Sequence, residues 1–114
     1  MTSDMRTVIY PVKDLEGAKA VFGALLGTEP VMDQPYYVQF SVDGLDVGLD
    51  PNGHAQGMTG PICYWNVQDI TARVHELVVA GAREVQPVKD VGGGTLVAVL
   101  SDADGNPIGL RQLP

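Results

Sequence analysis

The chain has 114 residues, and 45% of them are hydrophobic, which is enough for the core of one ordinary domain. Its net charge of −7, with no basic cluster, excludes nucleic acid as an expected partner. The sequence has no apolar run of bilayer length, no signal-peptide pattern and a single cysteine, Cys63, so we expect a cytoplasmic protein without a membrane partner or an internal disulfide.

The first half of the chain predicts a strand, a helix and a β-hairpin. Asp14 follows the first apolar run and is placed to cap a helix, because its side chain can accept hydrogen bonds from the first free N–H groups. The helix is predicted to end at Gly27, and Asp43-Gly44 indicates a two-residue hairpin turn. The predicted strands are residues 5–12, 36–42 and 45–50, and the apolar stripe of the helix comprises Leu15, Ala18, Val21, Phe22, Leu25 and Leu26.

The second half repeats this plan after a linker, residues 51–61, that is rich in glycine and proline. Asp69 is placed to cap a helix that ends near Gly81, and Gly92-Gly93-Gly94 forms a loop between two later strands. The predicted strands are residues 62–67, 82–88, 95–101 and 107–112, and the helix, residues 70–80, is expected to turn Ile70, Val74, Leu77 and Val78 inward.

The two halves share one pattern. Val12-Lys13-Asp14-Leu15 and Val67-Gln68-Asp69-Ile70 stand 55 residues apart, and each follows a strand pattern and precedes a helix that stops at glycine. We interpret this as an internal duplication of a β-α-β-β-β module, with module one at residues 1–52 and module two at residues 60–114 of a single domain. Helices packed on one face of largely antiparallel strands place the fold in the α+β class.

A turn before the last strand adds a more specific signal. Asp102-Ala103-Asp104-Gly105-Asn106-Pro107-Ile108 is similar to the D-P-D-G-N-x-[IV] turn of a known family. Together with the segments 12–18, Leu25-Leu26-Gly27 and 67–70, it gives the chain a resemblance to the vicinal oxygen chelate superfamily, which includes glyoxalase I, extradiol dioxygenases and bleomycin-resistance proteins. The resemblance implies two modules that form a curled, incomplete mixed β-barrel with helices on the outer face. It also implies a homodimer and a ligand site on the concave face.

Metal-binding members of this superfamily carry four ligands, usually His and Glu, on the concave face. The resemblance places those positions at Thr7, Gly48, Ile62 and Gly109, and such side chains cannot form a mononuclear metal site. We therefore expect no metal and no cofactor. We also expect Gly48→Glu and Gly109→Glu to leave the fold intact, because a carboxylate that points into a wet cavity stays solvated.

Strand alternation selects the side chains that would face a ligand if the former ligand positions face the cavity. Cys63 and Trp65 lie between such positions on their strand and would point toward the helix, so we interpret them as buried residues. Asp46, Tyr64 and Arg111 are the weak candidates for a catalytic role, as base, acid and anion-orienting group. The expected ligand-binding residues are Thr7, Tyr37, Gln39, Gly48, Ile62, Tyr64, Asn66, Gly109 and Arg111.

These features favour a metal-independent protein that binds a small organic molecule, as a bleomycin-resistance-like protein that sequesters a drug or metabolite would. One alternative is a cofactor-independent isomerase or lyase of the same superfamily. Another is an interaction or regulatory module without a ligand. The sequence leaves open whether the protein is an enzyme, because function depends on the site rather than on the fold.

Overall fold

The computed structural model describes residues 4–114, so Met1, Thr2 and Ser3, the first residues of predicted module one, lie outside the described range. The chain divides into two compact units, one formed by Arg6–Ile62 and the other by Cys63–Pro114 together with the start of the first strand. Each unit contains a four-stranded mixed sheet with one helix packed against it. The predicted α+β class and the β-α-β-β-β order of each half are confirmed.

The elements of module one are β1 Asp4–Pro11, α1 Leu15–Leu26, β2 Met32–Gln34, β3 Tyr37–Val42 and β4 Leu45–Asp50. Its strands lie in the order β2-β3-β4-β1. β4 pairs with β3 in antiparallel and with β1 in parallel orientation, and β2 extends the antiparallel edge. β2 completes the β-α-β-β-β order expected for module one, but its position was not predicted, because its three residues are all exposed and show no alternation. A 3₁₀ turn follows at His54–Gln56.

The elements of module two are β5 Ile62–Asn66, α2 Ile70–Val79, β6 Arg83–Asp90, β7 Leu96–Ser101 and β8 Pro107–Gln112. Its strands lie in the corresponding order, β6-β7-β8-β5. β8 pairs in parallel with β5 and antiparallel with β7, as β4 does with β1 and β3. Neither helix of the described chain has the length and hydrophobicity needed to span a bilayer.

Both helices begin at the predicted aspartates. Asp14 accepts a hydrogen bond from Gly17 N at 3.0 Å, and Asp69 accepts one from Ala72 N at 3.2 Å. The turn at Asp43 and Gly44 has positive φ at both residues, 51° and 84°, as a type I′ hairpin requires. The local signals in the sequence therefore determine the ends of these elements.

Each helix covers one side of its own sheet. In module one the core is formed by Phe40 and Leu49, both fully buried, and Phe22 of α1 packs its ring 4.9 Å from that of Tyr10. In module two, Ile70 and Val74 of α2 pack on Ala98, Leu100 and Leu110 of the sheet. These contacts set the phase of every strand, because successive side chains point to opposite faces.

Several residues that were predicted to be buried are exposed. Val21 and Leu25 are 64% and 72% exposed. Each precedes an inward-facing residue by one position, which turns it about 100° away from the sheet. Val78 is 44% exposed for the same reason, since it follows the half-buried Leu77.

Trp65 and Cys63 are also exposed, contrary to prediction. Trp65 does have the helix-side phase, because it pairs with Leu110, a core residue under α2. However, α2 packs over β6, β7 and β8, and Trp65 and Cys63 on β5 remain exposed. Alternation predicted the direction of these side chains correctly, but not whether a helix covers them.

Candidate functional site

In module one, the face of the sheet that points away from α1 carries four of the nine predicted ligand-binding residues, Thr7, Tyr37, Gln39 and Gly48. Gln39 on β3 and Ile9 on β1 are both register partners of Gly48 on β4. Thr7 pairs with Asp46 one step along and is 4% exposed. The structure therefore brings Thr7, Gln39 and Gly48 together on one surface.

Tyr37 occupies the space above Gly48. A β-carbon added at Gly48 would collide with the Tyr37 hydroxyl and would lie 2.7 Å from Cζ of that ring. The Tyr37 hydroxyl also donates a long hydrogen bond, 3.4 Å, to Oε1 of Gln39. The glycine at this former ligand position is thus overlain by a half-buried phenol ring rather than by an empty hollow.

Asp46 is held by a close neighbour. Ser41 Oγ donates a hydrogen bond of 2.6 Å to Oδ1 of Asp46, its register partner across the hairpin. Asp46 is therefore engaged at one of its two oxygens.

Module two repeats the combination of a tyrosine and a glycine with a different geometry. Tyr64 on β5 lies directly opposite Gly109 on β8 and is 8% exposed. A β-carbon at Gly109 would lie 2.6 Å from Tyr64 Cδ1 and 2.8 Å from the Cys63 carbonyl oxygen. This reverses the expectation that Gly109→Glu leaves the fold intact, because part of the obstruction is backbone and cannot swing aside.

Asn66 and Arg111 are register partners one step farther along the same face. Both are half-buried, whereas Ile62, the first residue of β5, is 7% exposed. Within the described residues, the Asn66 side-chain oxygen is buried and has no hydrogen-bond partner. Ser101 Oγ on β7 is likewise buried without a partner among the described residues.

Two residues of this face were missed by the sequence reasoning. Val97 and Val99 on β7 pair with Arg111 and Gly109, and they point away from α2. The alternation along β7 separates its two faces. Only the pairing of Val99 with Gly109 shows which of them lies on this side of the sheet. The two valines provide the apolar border of the face.

The four positions that the resemblance assigns to metal ligands carry side chains that do not fit a metal ion. Of Thr7, Gly48, Ile62 and Gly109, only the threonine has a side-chain oxygen, and a mononuclear site needs imidazole or carboxylate donors. Across residues 4–114, no group of three or more His, Cys, Asp and Glu side chains is arranged to hold a metal.

A cleft of module one lies elsewhere, against α1 and the segment that leads to β2. Its volume is about 570 Å³. Lys19 lines this cleft, and its Nζ lies 3.1 Å from each carboxylate oxygen of Asp33. This hydrogen bonding raises the pKa of Lys19. The cleft therefore does not coincide with the predicted binding face. It is lined by Glu16, Lys19, Ala20, Gly23, Ala24, Gly27, Thr28, Glu29, Pro30, Asp33 and Phe40.

Known structures match this chain over almost its whole length, although no family model and no curated protein matches the sequence. NAD-dependent benzaldehyde dehydrogenase from Legionella pneumophila is 19% identical, with a TM-score of 0.74 over 99% of this chain and 100% of that one. A glyoxalase/bleomycin resistance protein/dioxygenase superfamily member from Vibrio splendidus 12B01 is 21% identical, with a TM-score of 0.70 over 97% and 98%. Methylmalonyl-CoA epimerase from Mycobacterium tuberculosis is 17% identical, with a TM-score of 0.67 over 97% and 88%.

These similarities define the fold of the chain. The chain has the fold of the glyoxalase/bleomycin resistance/dioxygenase superfamily, which the sequence motifs predicted. At such identities the similarity establishes the fold alone. The neighbours differ in function, so the function of this chain has to be argued from its own side chains.

Proposed function

We propose that the protein binds a small organic molecule without a metal ion, and that it sequesters a drug or metabolite rather than transforming it. The observation that carries this proposal is the phenol ring over each former ligand glycine, Tyr37 over Gly48 and Tyr64 over Gly109. Where a metalloenzyme of this fold has a charged ligand, this chain has an aromatic surface with a hydroxyl group.

The surrounding groups suit an organic ligand. Small-molecule sites are mostly apolar or aromatic and contain a few polar groups that fix the orientation of the ligand. On the module-one face, Tyr37 is accompanied by the amide of Gln39. On the module-two face, Asn66 and Arg111 follow the buried Tyr64.

The enzymatic alternative receives less support from the geometry. A cofactor-independent isomerase needs a general base, and Asp46 was the carboxylate candidate. The short hydrogen bond from Ser41 occupies one of its oxygens, which restricts the geometry in which Asp46 could accept a proton from a ligand. Tyr64 is almost completely buried and lies against Gly109, which limits its use as a proton donor to a ligand.

The test uses protein dialysed against EDTA and a panel of aromatic drugs and metabolites, with binding measured by thermal shift and then by calorimetry. We expect binding to survive EDTA and elemental analysis to find far less than one metal ion per chain. Tyr37→Leu should weaken binding. Tyr36→Leu is the matched control, because Tyr36 is 58% exposed and lies just outside β3.

Two results would contradict the proposal. One is binding that disappears with EDTA and returns with a divalent metal. The other is an equal loss of affinity in the Tyr36 and Tyr37 variants, which would show that the ring over Gly48 has no special role. Catalytic turnover of a bound compound would favour the isomerase or lyase alternative instead.

A further inference from the structure

The module-two face has a closed end and an open end. Ile62 and Tyr64 are 7% and 8% exposed, and Gly109 is buried beneath the tyrosine ring. One step along the strands, Asn66 and Arg111 are half-buried and retain access to solvent. A ligand on this face therefore meets the Asn66–Arg111 pair first.

Asn66 has an unmet hydrogen-bonding requirement at this open end. Its Oδ1 is buried without a partner among the described residues. More than nine in ten buried polar groups in native proteins are paired, and an unpaired acceptor is costly. The terminal torsion of an asparagine is soft, so the amide can turn this oxygen toward the open side, and Oδ1 has no hydrogen bond to lose. The position is suited to accept a hydrogen bond from a ligand.

Arg111 supplies the complementary group. It is the direct register partner of Asn66, and adjacent strands lie about 4.8 Å apart. A guanidinium has five N–H donors, so Arg111 can bind a carboxylate while it keeps an existing contact. An acceptor beside a bidentate donor matches a ligand in which a carboxylate and a hydrogen-bond donor sit on neighbouring atoms.

We propose that the ligand is a carboxylic acid with a hydroxyl or amino group on the carbon next to the carboxylate. This inference rests on the binding function proposed above and specifies its ligand class. Arg111 binds the carboxylate, and Asn66 Oδ1 accepts the hydrogen bond from the hydroxyl or amino group. Val97, the partner of Arg111 on β7, lies against the apolar remainder of the ligand.

Three probes with the same phenyl ring separate these contacts. Mandelate has both the carboxylate and the hydroxyl, phenylacetate lacks the hydroxyl, and mandelamide lacks the charge. Calorimetry at neutral pH should give the tightest binding for mandelate. Phenylacetate should bind about threefold to tenfold more weakly, which is the usual effect of one hydrogen bond.

Variants assign each contact to its residue. Asn66→Leu removes the unpaired oxygen at similar volume, so it should fold normally and abolish the preference for mandelate over phenylacetate. Arg111→Gln should weaken both acids by at least tenfold and leave mandelamide nearly unchanged. Gln68→Leu and Arg83→Gln are the matched controls, because both residues are exposed, and neither variant should alter the pattern.

The outcomes distinguish this inference from the general binding function. If Asn66→Leu keeps the preference for mandelate, or if phenylacetate binds as well as mandelate, the assignment of Asn66 is wrong. If neutral compounds from the drug panel bind and none of the acids does, the ligand class is wrong although the binding function stands. If no compound of any class binds, both proposals fail.

Discussion

Gly109→Ala tests the packing of the module-two face with the smallest perturbation that the position allows. The added methyl carbon would lie 2.6 Å from Tyr64 Cδ1, 2.8 Å from Tyr64 Cγ and 2.8 Å from the Cys63 carbonyl oxygen. Cγ is the root of the ring, and the carbonyl belongs to the backbone, so relief requires β5 to shift. Overpacking of this kind costs about 1–3 kcal/mol.

The intrinsic gain from replacing glycine by alanine offsets part of that cost, by about 0.5–1 kcal/mol. The clash involves backbone, so we expect a net loss near the upper end, about 2 kcal/mol. In a domain of this size the loss corresponds to a decrease in melting temperature of roughly 8 °C. Urea unfolding at constant m-value measures it directly.

Gly48→Ala is the matched control. There the three atoms nearest the new methyl group all belong to the outer part of the Tyr37 side chain, which is half-buried and can rotate away. The expected change in unfolding free energy is within about 1 kcal/mol. A loss at Gly48 as large as that at Gly109, or no loss at Gly109, would refute the distinction between the two positions.

A double-mutant cycle separates the ring from the backbone contribution. In a Tyr64→Ala background, Gly109→Ala loses its clash with the ring and retains that with the Cys63 carbonyl oxygen. We expect a coupling free energy of about 1 kcal/mol between the two positions. Additive losses would show that the tyrosine ring does not restrict residue 109.

Two further predictions follow from the surface of the chain. Hydrogen bonds from the side chain and the backbone of Asn106 hold the pKa of Asp102 below its usual range. Asp102 therefore contributes stability at pH values above its unfolded-state pKa, and this contribution is lost as the pH falls through the lower folded-state pKa. Asp102→Ala should flatten the acid limb of a pH–stability curve. The chain is also expected to form a homodimer, since Val31 is 65% exposed beside the edge strand β2; light scattering that gives the mass of one chain at micromolar concentration would contradict this.

The sequence predicted those parts of the fold that depend on local chemistry. Asp14 and Asp69 mark both helix starts, and Asp43-Gly44 marks the hairpin turn, because caps and turns require particular residues at particular backbone angles. The last strand, Pro107–Gln112, has the predicted limits. β2 escaped prediction because a short, exposed strand has no alternation to reveal it.

The candidate site was less predictable, because its features arise from pairing between strands. Alternation placed Gly48 and Gly109 on the face opposite the helices, but nothing local shows which side chain lies over each glycine. The register does so, and it is set by turn lengths and sheet order. The unpaired oxygen of Asn66 is likewise visible only in the folded chain, because every asparagine carries the same acceptor.

The two tyrosines show that duplication alone does not explain the site. The 55-residue offset relates Tyr64 to Ile9, and Ile9 is the register partner of Gly48 just as Tyr64 is the partner of Gly109. A simple copy would therefore leave an isoleucine beside Gly48 and no ring above it. Instead Tyr37 reaches that glycine from β3, diagonally across an antiparallel pair. The same pairing of glycine and phenol ring is built from different strands, which is expected if the binding face requires a ring in both modules.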